Sequence, residues 1–171
     1  LNINGLSLEK YATPSWKRKI GYVSQDSVIF PLSIKDNIIM GEKDFDETKL
    51  NDVIQMSDLD SFIKKQPLGY NEIIGESGVT LSGGEKQRIS LARTLYRNPE
   101  ILILDEATSN LDNYSERKIQ NSINNLSETL TIIAIAHRLK TLENCDRIIH
   151  ISKGSIIEEG TLNDLINMKG H

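Results

Sequence analysis

LSGGEKQRISLARTLYRNPEILILDE, residues 81–106, is the stretch of sequence that decides the fold. Its first part, Ser82 to Tyr96, is predicted to be a helix that stops before Pro99, because proline cannot continue a helix. Its second part, Ile101–Leu104, contains apolar residues only, which predicts a short buried strand. A helix followed directly by a buried strand is typical of sheets with helices on their faces. The stretch therefore predicts an α/β fold.

The same alternation of helices and buried strands continues on both sides of this stretch. Upstream, Ile20–Ser24 is predicted to be a strand that ends at Gln25. Downstream, Ser115–Leu126 has apolar residues at helical spacing, and Thr131–Ala136 is a further apolar strand. Apolar strands separated by helices predict a parallel sheet covered on both faces. In such sheets, ligands bind at the carboxyl ends of the strands.

Two other regions have different patterns. Between about residues 26 and 81, apolar residues recur at helical spacing, as in the set Leu50, Val53, Ile54, Leu59, Phe62 and Ile63. Near the end of the chain, Arg147–Ser152 and Ser155–Glu158 predict a hairpin, and Thr161 is expected to cap a closing helix. We therefore predict a helical subdomain at about 26–81, inserted into a core formed by residues 1–25 and 82–171.

Composition excludes several classes of protein. With 38% hydrophobic and 26% charged residues in 171, the chain has the composition of a globular domain and not of a disordered one. A net charge of −4 gives no electrostatic footprint for nucleic acid. No stretch approaches the roughly 18 apolar residues that cross a bilayer. The single cysteine, Cys145, rules out an internal disulfide.

The first candidate site is Ser82-Gly83-Gly84 at the start of the predicted helix. A serine and two glycines at a helix N-terminus leave backbone N–H groups open toward an anion, and the helix dipole adds to the attraction. The same three residues are also a common helix cap with no ligand. Taken alone, they leave both interpretations open.

The second candidate site is Asp105-Glu106, which follows the buried strand 101–104 directly. Two carboxylates at the carboxyl end of a strand suit a magnesium ion held through water, together with a base for a nucleophilic water. Acidic residues end many strands, however, so the pair alone does not settle a function.

Together, these motifs resemble those of ABC-type ATPases. The string Leu81–Arg88 closely resembles the ABC signature, with Glu85 where glutamine is usual. Asp105-Glu106, 23 positions after Ser82, resembles the Walker B motif. The remaining matches are the D-loop at Ser109-Asn-Leu-Asp112, the switch histidine at His137, the Q-loop glutamine at Gln25 and the exporter-type X-loop at Ile74–Gly78. Two positions differ from the common forms, Asn110 in the D-loop and Ser77 in the X-loop.

The resemblance covers the whole chain and implies the C-terminal part of a P-loop NTPase-like domain with ATP and Mg²⁺ as cofactors. It implies that Glu106 polarises the attacking water, that Asp105 holds magnesium, and that Gln25 contacts both magnesium and the γ-phosphate. It further implies that His137 hydrogen-bonds the γ-phosphate. The signature residues Ser82, Gly83, Gly84 and Glu85 would bind the nucleotide of a second such domain in a head-to-tail dimer, and Asp112 would couple the two sites.

The resemblance also implies a transmembrane partner and a location at the cytoplasmic face of the membrane. There the domain would drive transport, and the X-loop favours export. No nucleic-acid partner is expected. Three alternatives stay open: a DNA-associated ATPase of the SMC type, a soluble ABC-type ATPase of DNA repair or translation, and a module that binds nucleotide without hydrolysis. The absence of sustained heptads and the acidic charge count against the first two. The third conflicts with Glu106 and His137.

One family element has no match in this sequence, since no G-x-x-x-x-G-K-[ST] pattern occurs. In the family this Walker A loop grips the β- and γ-phosphates and precedes a segment resembling Leu1–Gly5. We therefore expect that the chain starts downstream of the loop. We also expect that the 171 residues alone bind nucleotide weakly and do not hydrolyse it.

Overall fold

The computed structural model describes residues 2–3, 6–7, 16–42, 44–76, 78–107, 113–136 and 139–169. It divides the chain into two compact units, residues 1–135 and 136–171.

A three-stranded parallel sheet organises the first unit. Its strands are β3 (Ile20–Val23), β4 (Ile101–Asp105) and β5 (Thr131–Ile135), in that spatial order. The register places Val23 beside Leu104 and Leu104 beside Ala134, so the three carboxyl ends lie at one edge. Near the start of the chain, β1 (Asn2–Ile3) and β2 (Leu6–Ser7) form a separate antiparallel pair. The predicted α/β fold with a parallel sheet is confirmed.

Helix α4 (Gly83–Leu95) packs on the face of the sheet that carries Gly21 and Val23. The approach is close at Gly21, where a Cβ atom would stand 2.4 Å from Cγ2 of Thr94. Any larger residue at position 21 would force the side chain of Thr94 to move. Helix α5 (Asn113–Leu126) contributes buried apolar residues to the same core.

The other face of the sheet differs from our prediction. Tyr22, Ile133 and Ile135 point to that side and are 53%, 51% and 50% exposed. The prediction of strands covered on both faces is therefore wrong for the described part of the chain. The apolar character of a strand residue indicates that it can be buried, but it does not indicate which element covers it.

Short helices fill the segment between β3 and α4. They are α1 (Ile34–Ile39), α2 (Glu47–Met56), α3 (Asp60–Ile63) and a 3₁₀ turn, Gly69–Asn71. Ser33 caps α1 through its side chain, which accepts a hydrogen bond from the N–H of Asp36. The apolar set expected at helical spacing is buried, and it belongs to the same core as α4 and the sheet. The helical character of this region is confirmed, while the subdomain bounds stay a prediction.

The second unit contains α6 (Leu139–Leu142), a hairpin and a closing helix. The hairpin joins β6 (Ile148–Ser152) to β7 (Ser155–Gly160), as predicted. The closing helix is α7 (Leu162–Lys169), whose start is capped by hydrogen bonds between Thr161 and Asp164. Among the described helices, none has the length and apolar character needed to cross a bilayer.

Candidate functional site

A cavity of about 210 Å³ lies where the carboxyl ends of β3 and β4 meet the start of α4. Three predicted site residues from three separate motifs line it: Gln25, Gly83 and Glu106. The remaining lining residues are Asp26, Ser27, Lys86, Gln87 and Ala107. The structure therefore brings together side chains that are 81 positions apart in the sequence at the strand edge where a ligand was expected.

The start of α4 is held by a capping box. The hydroxyl of Ser82 accepts from the N–H of Glu85 at 3.3 Å. In return, one carboxylate oxygen of Glu85 accepts from both the N–H and the hydroxyl of Ser82, each at 2.8 Å. Ser82 and Gly83 are exposed, and the first-turn amides of a helix have no intrahelical acceptor. The capping box already bonds the N–H groups of Ser82 and Glu85, so an anion from solvent would meet the N–H of the exposed Gly83.

Gly84 lies in a different environment from Gly83. It is buried, and a Cβ atom there would stand 2.6 Å from Oγ and 2.7 Å from Cβ of Ser115 on α5. Sequence reasoning assigned Gly84 to nucleotide binding alone. The structure adds a packing role, because the absence of a side chain lets α4 and α5 approach.

The acidic pair lies at the end of β4. Asp105 is the last residue of the strand, and Glu106 follows it with a φ of 48°, in the left-handed region. The N–H of Glu106 donates to the carbonyl of Ile135 at 3.1 Å, which ties this turn to the end of β5. A left-handed conformation is costly for a residue other than glycine, and such residues concentrate at functional sites.

Tyr22 contacts this pair, a role that sequence reasoning missed. Its hydroxyl donates to Oδ2 of Asp105 at 2.6 Å. Since Tyr22 pairs with Ile103 across the sheet, Asp105 is its diagonal neighbour on the same face. The hydrogen bond to Asp105, followed by desolvation and the carboxylate charge, raises the pKa of Tyr22 above its ordinary value of 10.0. The hydroxyl therefore stays protonated and donating at neutral pH.

Two side chains of α4 hold the segment that contains Gln25, and both were missed. Gln87 is bonded to Ser24 and Ser27, which flank Gln25 and Asp26. Arg93 donates to the carbonyls of Val28 and Asn37, at 2.9 and 2.7 Å, and to Oδ1 of Asn37 at 3.1 Å. No short-range sequence signal marks these contacts, because each joins residues more than 50 positions apart.

Two predicted site residues, Asp112 and His137, lie outside the described residues, as does Ser77. Within the described ranges, no group of three or more histidine, cysteine, aspartate or glutamate side chains is placed to hold a metal ion. Two of the proposed donors, Gln25 and Glu106, line the cavity and offer oxygen atoms. Asp105 is not part of the lining, and its carboxylate lies on the sheet face of Tyr22. Mg²⁺ binds through one or two carboxylates while keeping several waters.

Comparisons with known proteins show which family the chain is similar to. The family model described as ABC transporter matches residues 1–109. A heterocyst differentiation ATP-binding protein, HepA, from Nostoc is 45% identical over 98% of this chain and 28% of its own length. ABC transporter B family member 6 of Dictyostelium discoideum is 42% identical over 98% of this chain and 25% of its own length.

Among solved structures, a bacterial Atm1-family ABC exporter with ATP bound superposes with a TM-score of 0.88 and 37% sequence identity. The match covers 99% of this chain and 30% of that one. This chain therefore spans less than a third of the length of each of these similar proteins.

Proposed function

This chain belongs to the ABC transporter family, and from that premise we propose that it forms part of an exporter's nucleotide-binding domain, which as a whole binds and hydrolyses ATP. The observation that carries the proposal is the cavity at the end of the parallel sheet. Gln25, Gly83 and Glu106 come from the Q-loop, signature and Walker B motifs, and all three line that cavity. The similarity to an exporter with ATP bound supports the direction of transport.

Glu106 is the proposed general base. Its backbone turns away from β4 immediately after Asp105, which places it at the cavity wall, where an attacking water would be polarised. Asp105 is the proposed magnesium ligand, acting mostly through water, with Tyr22 fixing one of its oxygens. Gln25 would contact both the metal and the γ-phosphate. When bound, Mg²⁺ neutralises charge that develops on the phosphates.

The signature is proposed to act on the ATP of a second domain in a head-to-tail dimer. Two features support this. Ser82 and Gly83 are exposed at a helix start, and Glu85 holds that start rigid through the capping box. Asp112 is proposed to couple the two sites, and His137 to hydrogen-bond the γ-phosphate. Both roles rest on the family motifs.

A transmembrane partner is proposed to use the energy of ATP hydrolysis. The domain is accordingly proposed to lie at the cytoplasmic face of a membrane. The first unit presents apolar side chains that such a partner could cover: Val28, Leu32 and Ile73 are 61%, 46% and 41% exposed. Leu32 and Ile73 are neighbours, because the N–H of Ile74 donates to the carbonyl of Leu32 at 3.0 Å. Neighbouring exposed apolar side chains, such as Leu32 and Ile73, are typical of interaction surfaces.

The test of this function is the ATPase activity of the full-length protein carrying Glu106→Gln. We expect hydrolysis to fall by about 10²–10⁴-fold, the scale of a lost general base, while ATP binding is retained. Glu100→Gln is the matched control, because Glu100 is an exposed glutamate at the opposite end of β4, bonded to Lys19 at 2.6 Å. Near-normal turnover in Glu106→Gln would show that the base lies elsewhere.

A further inference from the structure

Gln87 occupies a buried position between the signature helix and the residues around Gln25. It is 4% exposed, although it lines the cavity. Its Nε2 donates to the backbone carbonyl of Ser24 at 3.1 Å. Its Oε1 accepts from the hydroxyl of Ser27 at 2.5 Å. One amide therefore spans residues 24–27, which we name the Gln25 segment, and holds it from both ends.

The same side chain is fixed to the start of α4. Gln87 lies one helical turn after Gly83, so both residues lie on one face of the helix, and both line the cavity. Because residues 83–87 form a single turn capped by Ser82, a displacement of the helix start also displaces the amide of Gln87.

This inference rests on the proposed function. We infer that Gln87 is a positioning residue that keeps Gln25 in a fixed position relative to the signature residues at the start of α4 in the same chain. A side-chain amide meets the hydrogen-bonding needs of both flanks of the Gln25 segment. A hydroxyl on one flank needs an acceptor, and a carbonyl on the other needs a donor. Gln25 would then meet the γ-phosphate only when the start of α4 has the matching position.

The neighbouring contacts confine the effect of a Gln87 variant to the Gln25 segment. Arg93 independently holds Val28 and Asn37, and Asn37 in turn bonds the N–H and the carbonyl of Phe30, each at 2.9 Å. Loss of the Gln87 amide therefore releases residues 24–27 and leaves the attachment beyond residue 28 in place. Water in the cavity can replace the lost partners, so the variant is expected to fold.

The experiment compares Gln87→Leu and Gln87→Glu with wild type in the full-length protein. Leucine removes both hydrogen bonds, while glutamate keeps the acceptor for Ser27 and loses the donor for Ser24. Thr94→Val is the matched control, because Thr94 is also buried on α4 and bonds the carbonyls of Ser90 and Tyr22 instead. Valine keeps its shape and removes those bonds.

The first readout is hydrogen–deuterium exchange of residues 24–27 without nucleotide. We expect exchange to be about 10-fold faster in Gln87→Leu, intermediate in Gln87→Glu and unchanged in Thr94→Val. The second is steady-state ATPase activity. There we expect kcat to fall about 10-fold in Gln87→Leu with KM for ATP within about 2-fold of wild type, since only the catalytic placement of Gln25 changes.

Unchanged exchange in Gln87→Leu would overturn the inference, as would the same kcat loss in Thr94→Val. Faster exchange with normal kcat would also overturn it. Wild-type protein without any ATPase activity would refute the proposed function instead. The exchange measurements, which need no nucleotide, would then still decide whether Gln87 holds the Gln25 segment.

Discussion

Replacing Gly84 with alanine tests whether the second signature glycine acts through packing. In the structure, the added Cβ would stand 2.6 Å from Oγ and 2.7 Å from Cβ of Ser115. Ordinary contact begins near 3.4 Å, so α4 and α5 must separate by about 0.7 Å. Rotation about χ1 can move Oγ aside, but it cannot move the Cβ of Ser115. The strain therefore belongs in the upper part of the overpacking range, about 2–3 kcal/mol.

An opposite effect must be subtracted before the sign is known. Alanine is favoured over glycine in a helix by about 1 kcal/mol. The expected net change for Gly84→Ala is therefore a destabilisation of about 1–2 kcal/mol. In a Ser115→Gly background the obstructing atoms are gone and only the propensity term remains. There, Gly84→Ala should stabilise the chain by about 0.5–1 kcal/mol.

The assay is urea unfolding of the four chains of this double-mutant cycle, with midpoints compared at constant m-value. A coupling free energy of about 1.5–3 kcal/mol between residues 84 and 115 is expected. Equal effects of Gly84→Ala in both backgrounds would refute the packing role. Gly84 would then be required only for the approach of a phosphate.

Gly83→Asp should abolish ATP-driven dimerisation in the full-length protein, measured by size-exclusion chromatography, whereas the uncharged control Gly83→Asn should not. Aspartate is favoured in the first turn of a helix, so Gly83→Asp is expected to stay folded. If the variant lost dimerisation because it unfolded, the prediction would be contradicted. Arg93→Met should lower the free energy of unfolding by about 2–4 kcal/mol, because two acceptors of the buried Asn37 lose their donor, while Met at the exposed Arg117 should change little. Hydrogen bonds from the hydroxyl and the backbone N–H of Thr161 hold the pKa of Asp164 below its ordinary value of 3.8. The stabilisation that ionised Asp164 contributes to the fold is therefore present above pH 3.8, and it is lost as the pH falls through the lower, folded-state pKa. An NMR titration in which Thr161→Ala left the pKa of Asp164 unchanged would contradict this last expectation.

The features that the sequence predicted well are those encoded by neighbouring residues. Ser82 and Thr161 each cap a helix through a partner three positions later, and both caps appear in the structure as expected. Strand β4 was also predicted within one residue, because its apolar run is bounded by Pro99 and by the acidic pair.

The features that could not be predicted depend on side chains brought together from distant parts of the chain. Gln87, Arg93 and Tyr22 have ordinary sequence neighbours, and their partners lie more than 50 positions away. The exposure of Ile133 was mispredicted for a related reason, since its apolarity does not specify the element that covers it. Predictions for Asp112 and His137 stay predictions.

The left-handed backbone of Glu106 sets the activity of this site against the stability of the fold. A glutamate held at a φ of 48° costs roughly 1 kcal/mol or more that glycine would not. Glu106→Gly should therefore give a chain that is inactive yet harder to unfold than one carrying Glu106→Gln, which loses the base but keeps the strain. A thermal midpoint no higher for glycine than for glutamine would show that no such trade-off exists. If it does exist, selection for robustness alone would remove the base, and only selection for turnover retains it.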